Sequence, residues 1–364
     1  IQHIIKIRNN RNTMNTELIT KLELSIGNLK EKKSRIYFLV QDTKGNAKAS
    51  IRVTYEMAYH LFENGYNAII MHEQSDYKGV SSWLDEKYMS LPHKPIEGQN
   101  LEISPEDFMV IPELYGHVME QVSKFPCGKI VLCQSYDYIM ETLSPGTSWS
   151  QYGFLKCITT SEEQKQHLEK IMKNVSFDII KPTISSSFEK KSVPAKPIVS
   201  VHTRDQRDTM KLIKTFYLKY PQFRWITFRD MRGLSEWEFA SILKDSFVSV
   251  WIDDVSGLGT YPLESMKTGT PVIGKIPNLK PEWMTEHNGI WTNDTINMSD
   301  ILAEFTQNWL EDNISEKLYE SGNETAEKYT NTDDFKSNVL ERFSSYINTR
   351  LNNFESQLEK LKTN

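Results

Sequence analysis

The stretch from Gly257 to Ile273, Gly-Leu-Gly-Thr-Tyr-Pro-Leu-Glu-Ser-Met-Lys-Thr-Gly-Thr-Pro-Val-Ile, holds the chain's densest set of residues suited to chemistry. It reads as a glycine-loosened loop, a helix opened by Pro262, a stop at Gly269 and a buried strand from Pro271. Proline suits a first helical turn, where its missing N–H would be unpaired anyway. Gly257 and Gly259 let backbone N–H groups of the segment, with Leu258, Thr260 and Tyr261, approach a ligand closely. A loop that feeds a helix N-terminus binds anions, and Glu264 in the first turn reaches back towards whatever is bound. Backbone amides for phosphates and a carboxylate for ribose hydroxyls suit a nucleotide diphosphate joined to a sugar. Four arginines add to this: Arg204, Arg207, Arg229 and Arg232 lie just beyond expected strand ends. Their guanidinium groups stay charged and fork across two phosphate oxygens.

Apolar runs that alternate with helical patterns must position these groups, and that alternation argues for parallel sheets of βαβ units. Strands are expected at 35–41, 68–72, 108–111, 129–133, 157–160 and 178–180, with helices at 50–64, 115–124 and 162–173. A Ser/Lys/Pro-rich stretch, Ser185–Lys196, reads as a linker. Strands at 197–202, 224–228, 247–252 and 271–276 follow, with helices at 209–220 and 236–245. Two doubly wound halves joined near residue 190 leave a cleft at the carboxyl ends of both sheets, where such folds bind ligands. Beyond Asn297 the chain is nearly all helical. Its stripe of Leu340, Phe343, Ile347, Leu351, Phe354, Leu358 and Leu361 either packs across the first half or pairs with a second copy.

The chain has 364 residues, 38% hydrophobic and 25% charged, with a net charge of −5. That is enough for two domains with real cores, and it gives no global attraction to nucleic acid. No run of about 18 apolar residues is present, so no transmembrane segment is expected. The first residues lack the apolar centre of a signal peptide, and Met14 is a candidate natural start. Cys127, Cys133 and Cys157 lack metal-ligand spacing and read as buried thiols of a reducing cytoplasm.

The Gly257–Gly274 segment resembles the donor-binding motif of GT-B glycosyltransferases, and especially of their retaining family four. That motif runs Glu-x7-Glu through glycines, an aromatic residue and proline, then a small-residue helix and Gly-x-Pro-Val. Glu264 matches the second glutamate; Ser256 stands at the first, with Asp253 and Asp254 the nearest acids. The resemblance implies a transferase that moves a sugar from a nucleotide-diphosphate sugar to an acceptor hydroxyl, with retention, in glycan biosynthesis. It implies two Rossmann-like domains of doubly wound parallel sheet, over 34–190 (acceptor side) and 191–296 (donor side). An extension at 1–33 precedes them, and helices at 297–364 pack back on the first domain or oligomerise. On the donor side it implies roles for Lys211 beside the four arginines, and for the loop around Met231 in holding the nucleobase. On the acceptor side it implies Asp42, Gly45 and Asn46 after the first strand. Glu113 and His117 belong to the next such cluster, and Gln134, Ser135 and Tyr136 to the one after. Glu264, Glu113 and Arg204 are the candidate catalytic residues, Glu113 as an acceptor-binding group or base.

Other readings stay open at this level. A phage-type transferase acting on DNA bases would need a basic cleft. A degenerate GT-B scaffold that binds or assembles without catalysis is kept open by Ser256, and a sugar-nucleotide epimerase would share the fold. No His-x3-His pair, P-loop, Gly-x-Ser-x-Gly elbow or dinucleotide fingerprint is present, so neither a metal nor a cofactor is implied, the nucleotide sugar being a co-substrate.

Overall fold

The computed structural model describes residues 2–45, 47–74, 82–98, 100–190 and 192–363, with only the backbone over 2–14. Asn46 lies outside the described residues. Among those described, twelve strands form two sheets in which every pair is parallel. The first sheet comprises β1 (Arg35–Val40), β2 (Asn67–His72), β3 (His93–Pro95), β4 (Phe108–Pro112), β5 (Gly128–Cys133), β6 (Lys156–Thr159) and β7 (Ser176–Ile179), in the order β3-β2-β1-β4-β5-β6-β7. The second comprises β8 (Lys196–Thr203), β9 (Thr227–Asp230), β10 (Ser246–Ile252), β11 (Val272–Lys275) and β12 (Ile290–Thr292), in the order β12-β11-β10-β8-β9. The central strands are apolar almost throughout because helices cover both faces; all seven residues of β10 are buried.

Strand order reverses between β1 and β4 in the first sheet and between β8 and β10 in the second. At each reversal neighbouring loops diverge to opposite faces and leave a crevice beyond the strand carboxyl ends. The two crevices face one another. The connecting helices are α2 (Ala49–Glu63), α3 (Gly116–Val122), α4 (Tyr138–Thr142) and α5 (Glu162–Ile171) in the first half. In the second they are α6 (Gln206–Lys219), α7 (Glu236–Asp245) and α8 (Thr260–Lys267).

Four further helices are present among the described residues: α1 (Gln2–Lys30), α9 (Met298–Leu310), α10 (Glu316–Glu327) and α11 (Thr332–Thr363). After α9 and α10, which pack on the second half, α11 returns to the first. Its Phe335, Val339, Phe343, Ile347 and Phe354 join α1 and α2 in one core over β1. The Phe343 ring lies 5.7 Å from that of Phe38, and Tyr346 donates a 2.7 Å hydrogen bond to Asp178 at the far edge of the sheet.

Several details depart from the sequence reading: the strand expected at 224–228 is β9, Thr227–Asp230, and α4 carried no expectation. α8 begins at Thr260, so Pro262 is its third residue and Glu264 opens its second turn. The short strands β3 and β12 and the helix α1 carried no sequence expectation. The Ser185–Lys196 stretch is docked rather than free: Ser185 and Ser187 donate to Glu236 at 2.6 and 2.9 Å, and Phe188 is buried.

Candidate active site

Between the carboxyl edges of the two sheets lies a cavity of about 790 Å³, bordered by both halves. Its floor on one side is the turn after β5 and on the other the loop from Ser256 to α8. These touch directly. Ser135 Oγ donates to the Val255 carbonyl at 3.0 Å, and a Cβ at Gly257 would sit 2.1 Å from the Gln134 carbonyl oxygen. Position 257 therefore has room only for glycine. Gly259 caps α8 in the left-handed region (φ 75°), with Trp251 and Trp283 against its back. Trp283 Nε1 also holds the Leu258 carbonyl at 2.7 Å.

α8 is fixed from beneath by buried hydroxyls. Ser265 donates to Ser249 at 2.7 Å, Ser249 shares a 2.6 Å bond with Ser200, and Tyr261 donates to Ser200 at 3.2 Å. A helix leaves its first N–H groups without internal partners, and α8 presents that end to the cavity through Gly259, Thr260 and Tyr261. The N-terminal ends of α2 and α7 also border it, through Lys48–Ser50 and Glu236. Three helix dipoles thus converge with their positive ends on one space.

Glu264 borders the same cavity and is only 6% exposed. Among the described residues nothing donates a hydrogen bond to its carboxylate. Burial pushes its pKa up to about 7; Arg52 pulls the other way and Glu236 adds to the rise. A buried carboxylate without a protein donor is costly unless a ligand or a proton satisfies it. Glu113 is likewise buried and raised to about 7, but its Oε1 accepts the Ser135 and Gln134 amides at 2.7 and 3.1 Å. It braces the turn that meets Gly257.

The residues singled out from the sequence divide clearly. Arg204, Met231, Arg232, Gly257, Leu258, Gly259, Thr260, Tyr261, Glu264, Glu113, Gln134 and Ser135 all border the cavity. Arg207, Lys211 and Arg229 do not, and are exposed. Arg207 pairs with Asp205 and Lys211 lies 3.8 Å from Asp208. Asp42, Gly45, His117 and Tyr136 also stand off the cavity. Asp42 caps its own turn through the Lys44 amide, and buried Tyr136 packs on His167. Neither acid near Ser256 borders the cavity. Asp253 grips Arg204 through two bonds of 2.9 and 3.2 Å, and Asp254 pairs with Lys275.

Further residues line the cavity, of which Arg52 carried no signal in the sequence. Arg52 sits in the first turn of α2, 5% exposed, bonded to Glu56 at 2.9 Å and to the Thr183 carbonyl. Tyr138 crosses from the first half to accept from Arg204 at 3.1 Å. Lys48, at the α2 N-terminus, borders the cavity with Ser256. His202 stacks on Tyr261 with centroids 4.8 Å apart, and burial lowers its pKa. Among the described residues no three His, Cys, Asp or Glu side chains are placed to hold a metal ion, and no helix is long and apolar enough to cross a membrane.

No family model matches the chain. It is similar to the alpha-1,6-glucosyltransferase of Actinobacillus pleuropneumoniae serotype 7 (strain AP76), at 25% identity over 195 residues, or 49% of this chain and 56% of that protein. The match thus spans about half the length of that relative. Among solved structures it is similar to sucrose-phosphate synthase from Thermosynechococcus elongatus (TM-score 0.61, 13% identity, 86% of this chain and 98% of that one). The pneumococcal O-GlcNAc transferase GtfA, solved with UDP and GlcNAc, superposes with a TM-score of 0.58 at 9% identity, over 87% and 99% of the two chains. Anabaena HepE, solved with UDP and glucose, does so at 0.54 and 11%, over 86% and 100%. At such identities the likeness is one of architecture: two facing parallel sheets with a C-terminal helix returned to the first make this a GT-B fold.

Proposed function

We propose that the protein is a glycosyltransferase that moves a sugar from a nucleotide-diphosphate sugar to an acceptor hydroxyl in the cavity between its halves. One observation carries this reading: Glu264, buried at the cavity wall with no donor among the described residues, stands one turn from the positive end of α8. Ribose hydroxyls would donate to the carboxylate while the α8 amides and Arg204 take the pyrophosphate. Arg204 is held for that contact by Asp253 and Tyr138.

In the transfer the bond between the sugar C1 and the donor phosphate oxygen breaks, and its electron pair leaves with the pyrophosphate. Amides and guanidinium aimed at that developing charge lower the barrier. The acceptor oxygen bonds to C1. Its proton passes to a donor phosphate oxygen if configuration is retained, the course that the Glu264 motif favours. Glu113 faces the space from the first half, where an acceptor would lie. UDP and glucose are the first candidates for nucleotide and sugar, since HepE and GtfA were solved with UDP and the relative is a glucosyltransferase.

The test is thermal. Millimolar UDP should raise the melting temperature of the wild type by several degrees, since a ligand at about 100 times its Kd adds about 2.7 kcal/mol. Glu264→Ala should lose that effect, and the anomer formed from UDP-glucose, followed by NMR, reports retention. Melting unchanged by UDP and by GDP alike would contradict the proposal.

A further inference from the structure

A second cavity, of about 360 Å³, lies at the β12 edge of the second sheet. Ile276, Lys280, Glu286, Gly289, Ile290 and Trp291 border it, and none of them borders the cavity between the halves. Its aromatic wall is Trp291, half-buried on β12 and fixed by its surroundings. The indole Nε1 donates to the Thr285 carbonyl at 2.7 Å and to Asn288 Oδ1 at 3.3 Å. Asn288 is itself 1% exposed: it accepts from the Thr285 amide at 3.1 Å and donates to the Trp283 carbonyl at 2.6 Å. The loop from Trp283 to Trp291 is thus wound on one buried amide. A Cβ at Gly274 would sit 2.6 Å from the Trp291 ring, and one at Gly289 only 2.3 Å from it. Trp283 meets the same ring edge-on, with centroids 5.7 Å apart. Neither backbone beside the indole has room for a side chain, and the ring is held in one orientation before any ligand arrives. Ordering it then costs a ligand nothing.

The two charged residues at this cavity narrow the chemistry of what it takes. Lys280 offers only N–H donors, whereas the Glu286 carboxylate only accepts. An anion would meet the carboxylate as a like charge, and a cation would meet the ammonium in the same way. A neutral molecule whose hydroxyls both donate and accept satisfies the two together. The indole asks in addition for an apolar face, and a hexopyranose has one in its ring C–H groups. The volume falls within the range of small-molecule sites, about 300–1,000 Å³, which combine aromatic walls with a few polar groups.

We infer that this cavity is a saccharide-binding site, separate from the transfer site, in which a neutral hexose oligosaccharide packs on Trp291 while its hydroxyls bond Lys280 and Glu286. It requires no nucleotide sugar, so binding there is measured without a donor and does not depend on the role of Glu264.

The test is a titration followed by 19F NMR. The protein carries 5-fluorotryptophan at its eight tryptophans, and Trp291→Phe and Trp83→Phe assign two of the resonances. Trp83 borders the cavity between the halves and reports any sugar that enters there. Isomaltotriose, maltotriose and cellotriose are added in turn up to the millimolar range. At least one of them should move the Trp291 resonance along a saturable curve. Lys280 and Glu286 are both exposed, so the double variant Lys280→Ala/Glu286→Ala should fold as the wild type does. It should weaken the Trp291 curve by roughly tenfold or more through the loss of two hydrogen bonds, and leave any Trp83 curve where it was. A Trp291 resonance that no trisaccharide moves, or a curve that the double variant leaves unchanged, overturns the assignment. UDP that moves Trp291 along a curve weakened by the double variant would make this a nucleotide site and overturn it equally. A failure of UDP to bind between the halves leaves the outcome at Trp291 as it stands.

Discussion

At the scale of single residues, Glu264 is costly to keep ionised inside the fold. Its carboxyl has an ordinary pKa near 4.5 and a folded value of about 7, so the folded chain holds a proton that the unfolded chain has released across that window. Stability from that proton is fully present below about pH 4.5 and is lost as pH rises through about 7. Glu264→Gln does not titrate. Relative to wild type it should therefore gain stability between about pH 5 and pH 8, by about 1–3 kcal/mol, because a difference of one pH unit between two pKa values is worth about 1.4 kcal/mol. Denaturant melts of both proteins at the two pH values check this, and comparing the pair cancels the opposite trend of the buried histidines. A constant difference across the range would mean that Glu264 ionises freely. The motif around Glu264 was visible in the sequence because glycine, proline and acid spacing encode a turn and a helix start. Arg52 was not, because a charged residue near a helix start reads as a solvated face until tertiary packing buries it. Arg207 and Arg229 show the converse case. Both were expected just beyond strand ends, but Arg229 lies inside β9 and neither borders the cavity, and local pattern alone does not place a strand end to within two residues.

At the scale of elements, the critical unit is the loop and helix from Ser256 to Lys267, clamped between a turn of the other half and a ladder of hydroxyls. Gly257 is where the clamp is tightest. Gly257→Ala places a methyl group against the Gln134 backbone carbonyl, which no rotamer can relieve, so the loop or the halves must move apart. Overpacking of this kind costs about 1–3 kcal/mol, and UDP affinity should fall by roughly tenfold or more alongside it. Chemical denaturation and calorimetry test the two effects separately; a variant that matches wild type in both would show that the contact between the halves is slack. Local pattern was enough for the helix but placed its start two residues late, because Pro262 was read as the first helical position. The structure puts Gly259 at the cap, where a left-handed backbone turns the chain into α8. α7 was legible to the residue: Ser235 and Glu238 form a reciprocal capping box, a local device written in the residue types themselves.

For the whole molecule, the alternation of buried strands and amphipathic helices was enough to indicate two parallel sheets and a cleft. The short edge strands β3 and β12 were not legible, since three residues carry too little pattern to separate a strand from a loop. The stripe on the last helix left open whether it packs on its own chain or on another copy. In the structure it closes over the first half, and Phe343 is fully buried against Phe38. Phe343→Ala should destabilise the protein by about 3–5 kcal/mol, read as a lower urea midpoint with an unchanged slope. A loss below about 1 kcal/mol would show that α11 contributes little to that core. The central claim, that Glu264 and the start of α8 together hold a nucleotide diphosphate, is tested most directly by a crystal structure of the complex with UDP. The account predicts ribose hydroxyls within hydrogen-bond distance of the Glu264 carboxylate and phosphates on the amides of residues 259–261. A nucleotide bound elsewhere, or one in this cavity whose ribose leaves Glu264 without a partner, would contradict it.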